Sequence, residues 1–343
     1  MITYATFALS IAISKPTKDF DQYLAIQFIT NDSNIRNPLF PIIVHILSEN
    51  GFEIPKEVQK HKFAQIARST LIEHSLQELI SLAALNNITV IPYKGQELAK
   101  LHPYPDLRVQ ADIDVAIANE DAEKLHNILL QNSFKPSWTG HYHSVYNKNS
   151  LHYELHTRLI SYKYELFFDL GRFGEIQGKE QLISLSNEDY LLLSCLQVFD
   201  DMNRTIPFLD MFAIISKGIN SQKWKSLVDS TDSAFLLHFC NERMIIRYGN
   251  APLSELYLPK LSSFALKRIR KAAKHAKCPR DTYWALFFSI RNPIRKMLRT
   301  IFPPKDIIES YQDGSYTPHL RHIRRVFKQL SGMKNRPEGQ RRF

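Results

Sequence analysis

Two acidic residues separated by one apolar residue, Asp112-Ile113-Asp114, stand inside the run Arg108-Val109-Gln110-Ala111-Asp112-Ile113-Asp114-Val115-Ala116-Ile117. Strand side chains alternate between faces. A strand over Val109 to Ile117 therefore sends Ala111, Ile113, Val115 and Ile117 into a core, with Gln110, Asp112, Asp114 and Ala116 on the other face. Two carboxylates side by side repel, and a cation between them reverses the sign of that cost. Magnesium takes oxygen ligands of this kind, usually one or two carboxylates with water and substrate phosphates. A second run, Leu151-His152-Tyr153-Glu154-Leu155-His156-Thr157, places His152, Glu154 and His156 on one face by the same alternation. If the two strands are neighbours, Glu154 is the third carboxylate. Three such groups suit two-ion phosphoryl transfer. One ion lowers the pKa of the attacking hydroxyl, and the other neutralises the triphosphate and the leaving pyrophosphate. Glu154 fits two roles there, metal ligand or general base.

Each of these residues also has a plainer role open to it. The Asp pair can be a solvated strand face or turn, and Glu154 a cross-strand salt bridge. In Tyr93-Lys94-Gly95-Gln96, Gly95 allows a tight turn and close backbone approach, and a following helix offers free N–H groups to phosphate. Lys94 and Arg108 can each contact phosphate or serve a surface or structural ion pair. His141, His143, His152 and His156 form a zinc alternative, set against hard oxygen ligands nearby and no cysteine beside them. His156 can instead orient Glu154 or touch a phosphate. Asp210, on an otherwise apolar helix, can face a cleft, cap or lie on the surface.

The elements that must position these groups can be read from periodicity. Pro38–Asn50 and Phe63–Leu85 show helical spacing, and Ile88–Tyr93 is β-branched, as strands prefer. Gln96–Leu101 reads as a short helix ended by Pro103 and Pro105, and Asn119 as the N-cap of a helix reaching Gln131. Phe134–Trp138, His141–Tyr146 and Leu151–Thr157 read as strands, the last two joined as a hairpin through Asn147-Lys148-Asn149-Ser150. Beyond about Gly178 the pattern turns helical: Asn187–Asn203, Pro207–Lys217, Gln222–Ser230, Ala234–Tyr248, Leu261–Lys277, Thr282–Ile301 and His319–Leu330, with a capping box at Ser186 and Asp189. The expectation is an α+β chain. A helical segment (1–87) precedes a mixed-sheet core (88–178), and a helical, basic domain (179–343) follows.

Composition bounds the function classes. With 44% hydrophobic and 23% charged residues the chain is ordinary globular material. No run approaches the roughly 20 apolar residues of a membrane span. Cys195, Cys240 and Cys278 are isolated thiols, against a disulfide framework or structural zinc, and MITYATFALSIAISKP lacks a basic leader. A cytoplasmic protein is expected. The net charge of +10 is lopsided: Lys260–Phe343 holds 21 Lys/Arg against 5 Asp/Glu, so the remainder is net acidic. That basic end suits an anionic partner, RNA or a membrane surface, or is simply a solvated face.

The order Lys94-Gly95, helix, Tyr104-Pro105, Arg108, Asp112-Ile113-Asp114, then Glu154-Leu155-His156 resembles the nucleotidyltransferase fold of the DNA polymerase beta superfamily. Within it the likeness is to the bacterial nucleotidyltransferase 5 family, over roughly Phe63 to Trp224 and including Leu209-Asp210. The resemblance implies a nucleotidyltransferase-type mixed β-sheet with helices. It also implies transfer of a nucleoside monophosphate from an NTP to an acceptor, with Mg²⁺ or Mn²⁺ held by Asp112, Asp114 and Glu154. Lys94, Gly95, Gln96, Arg108 and His156 would line the nucleotide side. The superfamily commonly has Gly-Ser where this chain has Gly95-Gln96, so a serine hydroxyl on the triphosphate is not expected. The acceptor, a small molecule or carrier, or else a protein or RNA, is not implied; a degenerate, non-catalytic nucleotide binder is the remaining alternative.

Overall fold

A computed structural model describes residues 22–31, 34–139, 143–160, 164, 168–176, 185–202, 204–249, 252–276, 282 and 286. Three helices come first: α1 (Gln22–Ile29), α2 (Phe40–Glu49) and α3 (Lys56–Ala84). Pro41 sits in the first turn of α2, and Gly51 follows its end at φ 80°, a conformation that suits glycine. α3 starts seven residues before the expected Phe63, because its opening turns (Lys56-Glu57-Val58-Gln59-Lys60) are mostly solvated and carry no apolar stripe.

Five strands form one sheet: β1 (Val90–Pro92), β2 (Ile113–Ile117), β3 (Lys135–Thr139), β4 (His143–Lys148) and β5 (Leu151–His156), in the order β1-β2-β5-β4-β3. β2 and β5 are parallel and the other pairs antiparallel. The short helix α4 (Gly95–Ala99) joins β1 to β2, and α5 (Ala122–Gln131) carries the chain from β2 to β3. The expected hairpin is present: Lys148 pairs with Leu151 across Asn149 and Ser150, whose φ values of 50° and 63° fit a type I′ turn. This is the mixed α+β architecture expected of the chain.

Two expectations need correction. The strand predicted over Val109–Ile117 begins only at Ile113. Upstream, the backbone carbonyls that would pair with a neighbouring strand are taken by α3. Gln65 donates to the Arg108 carbonyl at 3.1 Å, and Arg68 donates to the carbonyls of Gln110 and Ala111 at 3.0 and 2.7 Å. Asn119 does not cap α5: Asn119–Asp121 is a 3₁₀ turn, the helix starts at Ala122, and the Asn119 amide donates to Glu175.

One sheet face packs on α3 and α5 through Ile72, Leu76, Leu79, Leu125, Leu129, Ile113, Val115, Ile117, Tyr146 and Tyr153. Opposite lie α6 (Asn187–Asp200) and α7 (Ile206–Ser216), followed by α8 (Ser221–Thr231), α9 (Ala234–Tyr248) and α10 (Ser263–His275). The Ser186–Asp189 capping box opens α6: the Ser186 hydroxyl accepts from the Asp189 N–H, and Asp189 accepts from the Ser186 N–H at 3.0 Å. Trp224, Phe235 and Phe239 are fully buried, as expected of core residues. One apolar cluster runs from Phe40 and Ile43 of α2 through Tyr93 and Ala116 to Leu192, Phe208 and Met244. Helices predicted over 282–301 and 319–330 lie outside the described residues apart from 282 and 286. Among the described residues no helix is long and apolar enough to cross a membrane.

Candidate active site

Parallel register places Asp114 opposite Glu154 and Ala116 opposite His156. Directly opposed residues share a sheet face, so β2 and β5 present Asp114, Glu154 and His156 together, on the side away from α3 and α5. Ligand atoms of these three lie within 4.8 Å of one another. His156 Nε2 is 2.9 Å from Asp114 Oδ1 and 3.4 Å from Glu154 Oε2. Asp112 stands one residue before β2, its carbonyl accepting from Gln96 Nε2 at 3.3 Å. Asp112, Asp114, Glu154, His156, Lys94, Gly95 and Arg108 all line one cavity of about 320 Å³. Its far wall is built by Leu193, Leu196 and Asp200 of α6 with Arg204 just ahead of α7 and Ile206 and Pro207 at its start.

The electrostatics are those of a site short of positive charge. Burial, then the charges of Asp114 and Glu154, push the Asp112 carboxyl up to about 6. Burial would also raise Asp114, but the Lys94 ammonium and the His156 hydrogen bond override it and hold that carboxyl well below the usual range. A hydrogen bond from His156 keeps Glu154 low against the opposing effect of burial. Burial pulls the Lys94 ammonium down, yet the Asp114 charge more than offsets it, so Lys94 stays protonated. Its Nζ is 3.3 Å from Asp114 Oδ1 and 3.4 Å from His156 Nε2. Donation to Asp114 requires hydrogen on His156 Nε2, so Lys94 and His156 converge on one carboxylate as two donors. Three carboxylates thus outnumber the cations that ease them, the Lys94 ammonium and the Arg204 guanidinium.

The loop holding Lys94 is strained where the sequence placed freedom. Lys94, not Gly95, has the unusual backbone, φ 52° and ψ −105°. Gly95 matters through close approach: a Cβ there would meet Gln110 Oε1 at 3.1 Å and Arg108 Nη1 at 3.8 Å. Tyr93 braces the other side. Its N–H donates to the Asp114 carbonyl at 2.9 Å, its hydroxyl to the Leu159 carbonyl at 2.5 Å, and its ring meets the His156 ring edge-on at 5.4 Å.

Arg108 takes the structural ion-pair role that the sequence left open beside phosphate contact, while Gln96, expected on the nucleotide side, turns away from the cavity. Arg108 donates Nε to Asp210 Oδ1 at 2.7 Å and Nη2 to Oδ2 at 2.8 Å, leaving Nη1 toward Gly95. Gln96 is buried against the Asp112 backbone and is not among the cavity-lining residues. Asp210 is neither a cap nor a surface residue, since it is fully buried between Arg108 and His102 Nε2 at 2.8 Å. One signal for this was present, a lone carboxylate inside the apolar run Ile206-Pro207-Phe208-Leu209-Asp210-Met211-Phe212, which burial permits only with partners. Gln65, Arg68, Tyr93 and Arg204, the last also lining the cavity and easing the charge on Asp112, gave none. Of the four histidines in the zinc alternative, His141 lies outside the described residues. His152 is exposed and pairs with Asn147 toward the hairpin end. Only His143 and His156 meet, as stacked rings 5.3 Å apart.

The converging donors, the carboxylates of Asp114 and Glu154 with the His156 imidazole, suit a divalent cation, and Asp112, predicted as a third ligand, lines the same cavity without joining that cluster. Comparison with known proteins agrees with the chemistry. No curated protein and no solved structure matches the chain significantly. The family model described as uncharacterised nucleotidyltransferase matches residues 34–244, extending the resemblance at both ends into α2 and α9, and the chain belongs to that family.

Proposed function

We propose that the protein transfers a nucleoside monophosphate from an NTP to a hydroxyl of a small-molecule or carrier acceptor, using Mg²⁺ or Mn²⁺. The observation that carries this is Asp114 and Glu154 side by side on parallel strands, with Asp112 lining the same cavity and raised to about 6 by burial first and by their charges second. Asp112, Asp114 and Glu154 outnumber the Lys94 and Arg204 charges that ease them, an excess that a divalent ion offsets. Asp112, Asp114 and Glu154 would hold it. Bound there, such an ion supplies charge neutralisation on the phosphates and a lowered pKa for the acceptor hydroxyl.

The chain's own groups do the rest. Lys94 fixes Asp114 and brings an ammonium to the cavity, where phosphate oxygens would meet it. His156 orients Asp114, and Arg108, through Nη1, presents a charge toward Gly95. Glu154, whose side chain is 28% exposed against 8% for Asp114 and 5% for His156, would take the acceptor proton. The buried free thiols Cys195 and Cys240 support a reducing, cytoplasmic setting.

A second reading, with a macromolecular acceptor such as RNA or a membrane-associated molecule, draws on α10, whose Lys267, Arg268, Lys271 and Lys274 are exposed while Ala265, Ile269 and Ala273 pack inward. The test is to incubate the protein with each α-labelled NTP, Mg²⁺ and cell extract, and to follow the label. Label on a metabolite supports the first reading. Label on RNA or protein, lost when Lys267, Lys271 and Lys274 become Glu, supports the second. NTP binding by calorimetry with no labelled product in any fraction overturns both and leaves a nucleotide-binding protein without turnover.

A further inference from the structure

The catalytic face does not end at β5. Across the sheet Asp114 opposes Glu154, Glu154 opposes Val145, and Val145 opposes Trp138. Trp138 therefore lies on the same face as the carboxylates, at the outer strand, three strand spacings or roughly 14 Å from Asp114. It is 45% exposed, unusual for an indole on a sheet face.

Trp138 reaches that face through an irregularity. Pro136 pairs with Tyr146, which is buried on the opposite, helix-covered face. In a regular strand Trp138, two residues on, would follow Pro136 to that face. The register shifts between Pro136 and Trp138, and the extra residue turns the indole over. Bulges of this kind re-aim single side chains beside sites. A continuous aromatic path results. Trp138 lies 4.5 Å from the His143 ring, tilted by 43°, and His143 stacks on His156, whose Nε2 bonds Asp114.

We infer that Trp138, with His143 behind it, is the platform on which the nucleobase of the NTP stacks. This rests on the reading of the site as a nucleotidyltransferase centre. The cavity at Lys94 and the carboxylates is walled by α6 and is not lined by Val145, His143 or Trp138. With the phosphates there, the sugar and base leave it along the sheet face, and the row Asp114–Glu154–Val145–Trp138 spans about the length of a nucleoside with its phosphates. A π-face accepts any base, so the platform fixes position rather than base identity. The bulged edge strand is a nucleotide-orienting device.

The test is calorimetric titration of wild type, Trp138→Phe and Trp138→Ala with an NTP and, separately, with inorganic triphosphate, all with Mg²⁺. Trp138 is exposed enough that neither change endangers folding, which circular dichroism checks. Wild type is expected to bind the NTP more tightly than triphosphate. Trp138→Ala should lose about tenfold or more in NTP affinity, Trp138→Phe should keep most of it, and triphosphate binding should be equal in all three. Equal NTP affinity in wild type and Trp138→Ala overturns the inference and leaves the nucleotidyltransferase reading standing. Failure of wild type to bind either ligand overturns that reading and this inference together.

Discussion

Arg108 and Asp210, 102 residues apart, form a two-pronged ion pair at 2.7 and 2.8 Å in which the carboxylate is fully buried. It joins the segment leading into the carboxylate strand to α7, and so joins the two walls of the cavity. Removing one partner of a buried pair leaves the other charge unpaired, a cost of about 3–5 kcal/mol. Asp210→Ala should lose stability on that scale in urea or thermal unfolding, and Asp210→Asn somewhat less, since it retains acceptors for Arg108. If Asp210→Ala unfolds at the wild-type midpoint, the pair is not structural.

The same pair predicts a pH dependence. Burial opposes ionisation of Asp210, but the Arg108 charge and hydrogen bonds prevail and bring its carboxyl down to about 2. A carboxyl depressed in the folded chain and ordinary in the unfolded one stabilises above about pH 4. That contribution, of order 2 kcal/mol, is lost as pH falls from about 4 toward about 2. Unfolding free energies measured across this range should fall more steeply in wild type than in Asp210→Asn. Parallel curves would remove Asp210 from the account of acid unfolding.

Much of this site was legible because strand alternation is a strong rule. Period-two patterning sends Asp114 and Glu154 each to one face of its own strand but leaves open whether the two strands are neighbours, and the turn signal over Asn147–Ser150 predicts the β4–β5 hairpin without its two-residue turn. What escaped was tertiary. Arg68 and Gln65 intercept carbonyls some 43 residues away, so Val109–Ala111 never enters the sheet, and no local signal announces that. Asp210 was visible as an oddity in an apolar helix, but its partner, Arg108, could be assigned equally to phosphate. Trp138 faces the site only because of a one-residue bulge, which inverts what alternation predicts.

Crowded carboxylates make a site that trades stability for function. Asp112 is buried beside Asp114 and Glu154 with too little positive charge to balance them. Asp112→Asn should therefore raise the thermal midpoint of the metal-free protein by a few degrees, while lowering nucleotidyl transfer by about 10²-fold or more. Added Mg²⁺ should raise the wild-type midpoint more than that of the variant, because only an ion that binds the folded state stabilises it. A variant less stable than wild type without metal would show that repulsion among these groups is not what governs the site.

Lys94 supplies two properties that substitution separates. Its ammonium pairs with Asp114, and its backbone is held at φ 52° because the Tyr93 N–H is tied to the Asp114 carbonyl and the Lys94 carbonyl opens α4 by accepting from Leu98 at 2.8 Å. Glycine adopts such a φ freely, whereas alanine does not. Lys94→Gly and Lys94→Ala both remove the charge, so both should lose transfer activity to a similar extent, about 10²-fold. Their stabilities should differ, with the glycine variant more stable by about 1 kcal/mol, the strain of the left-handed backbone. Denaturant unfolding of the pair reads that difference directly. Equal stabilities would mean the loop relaxes to an ordinary conformation once the ammonium is gone, and that the Lys94–Asp114 contact, rather than the flanking hydrogen bonds, holds the turn in place.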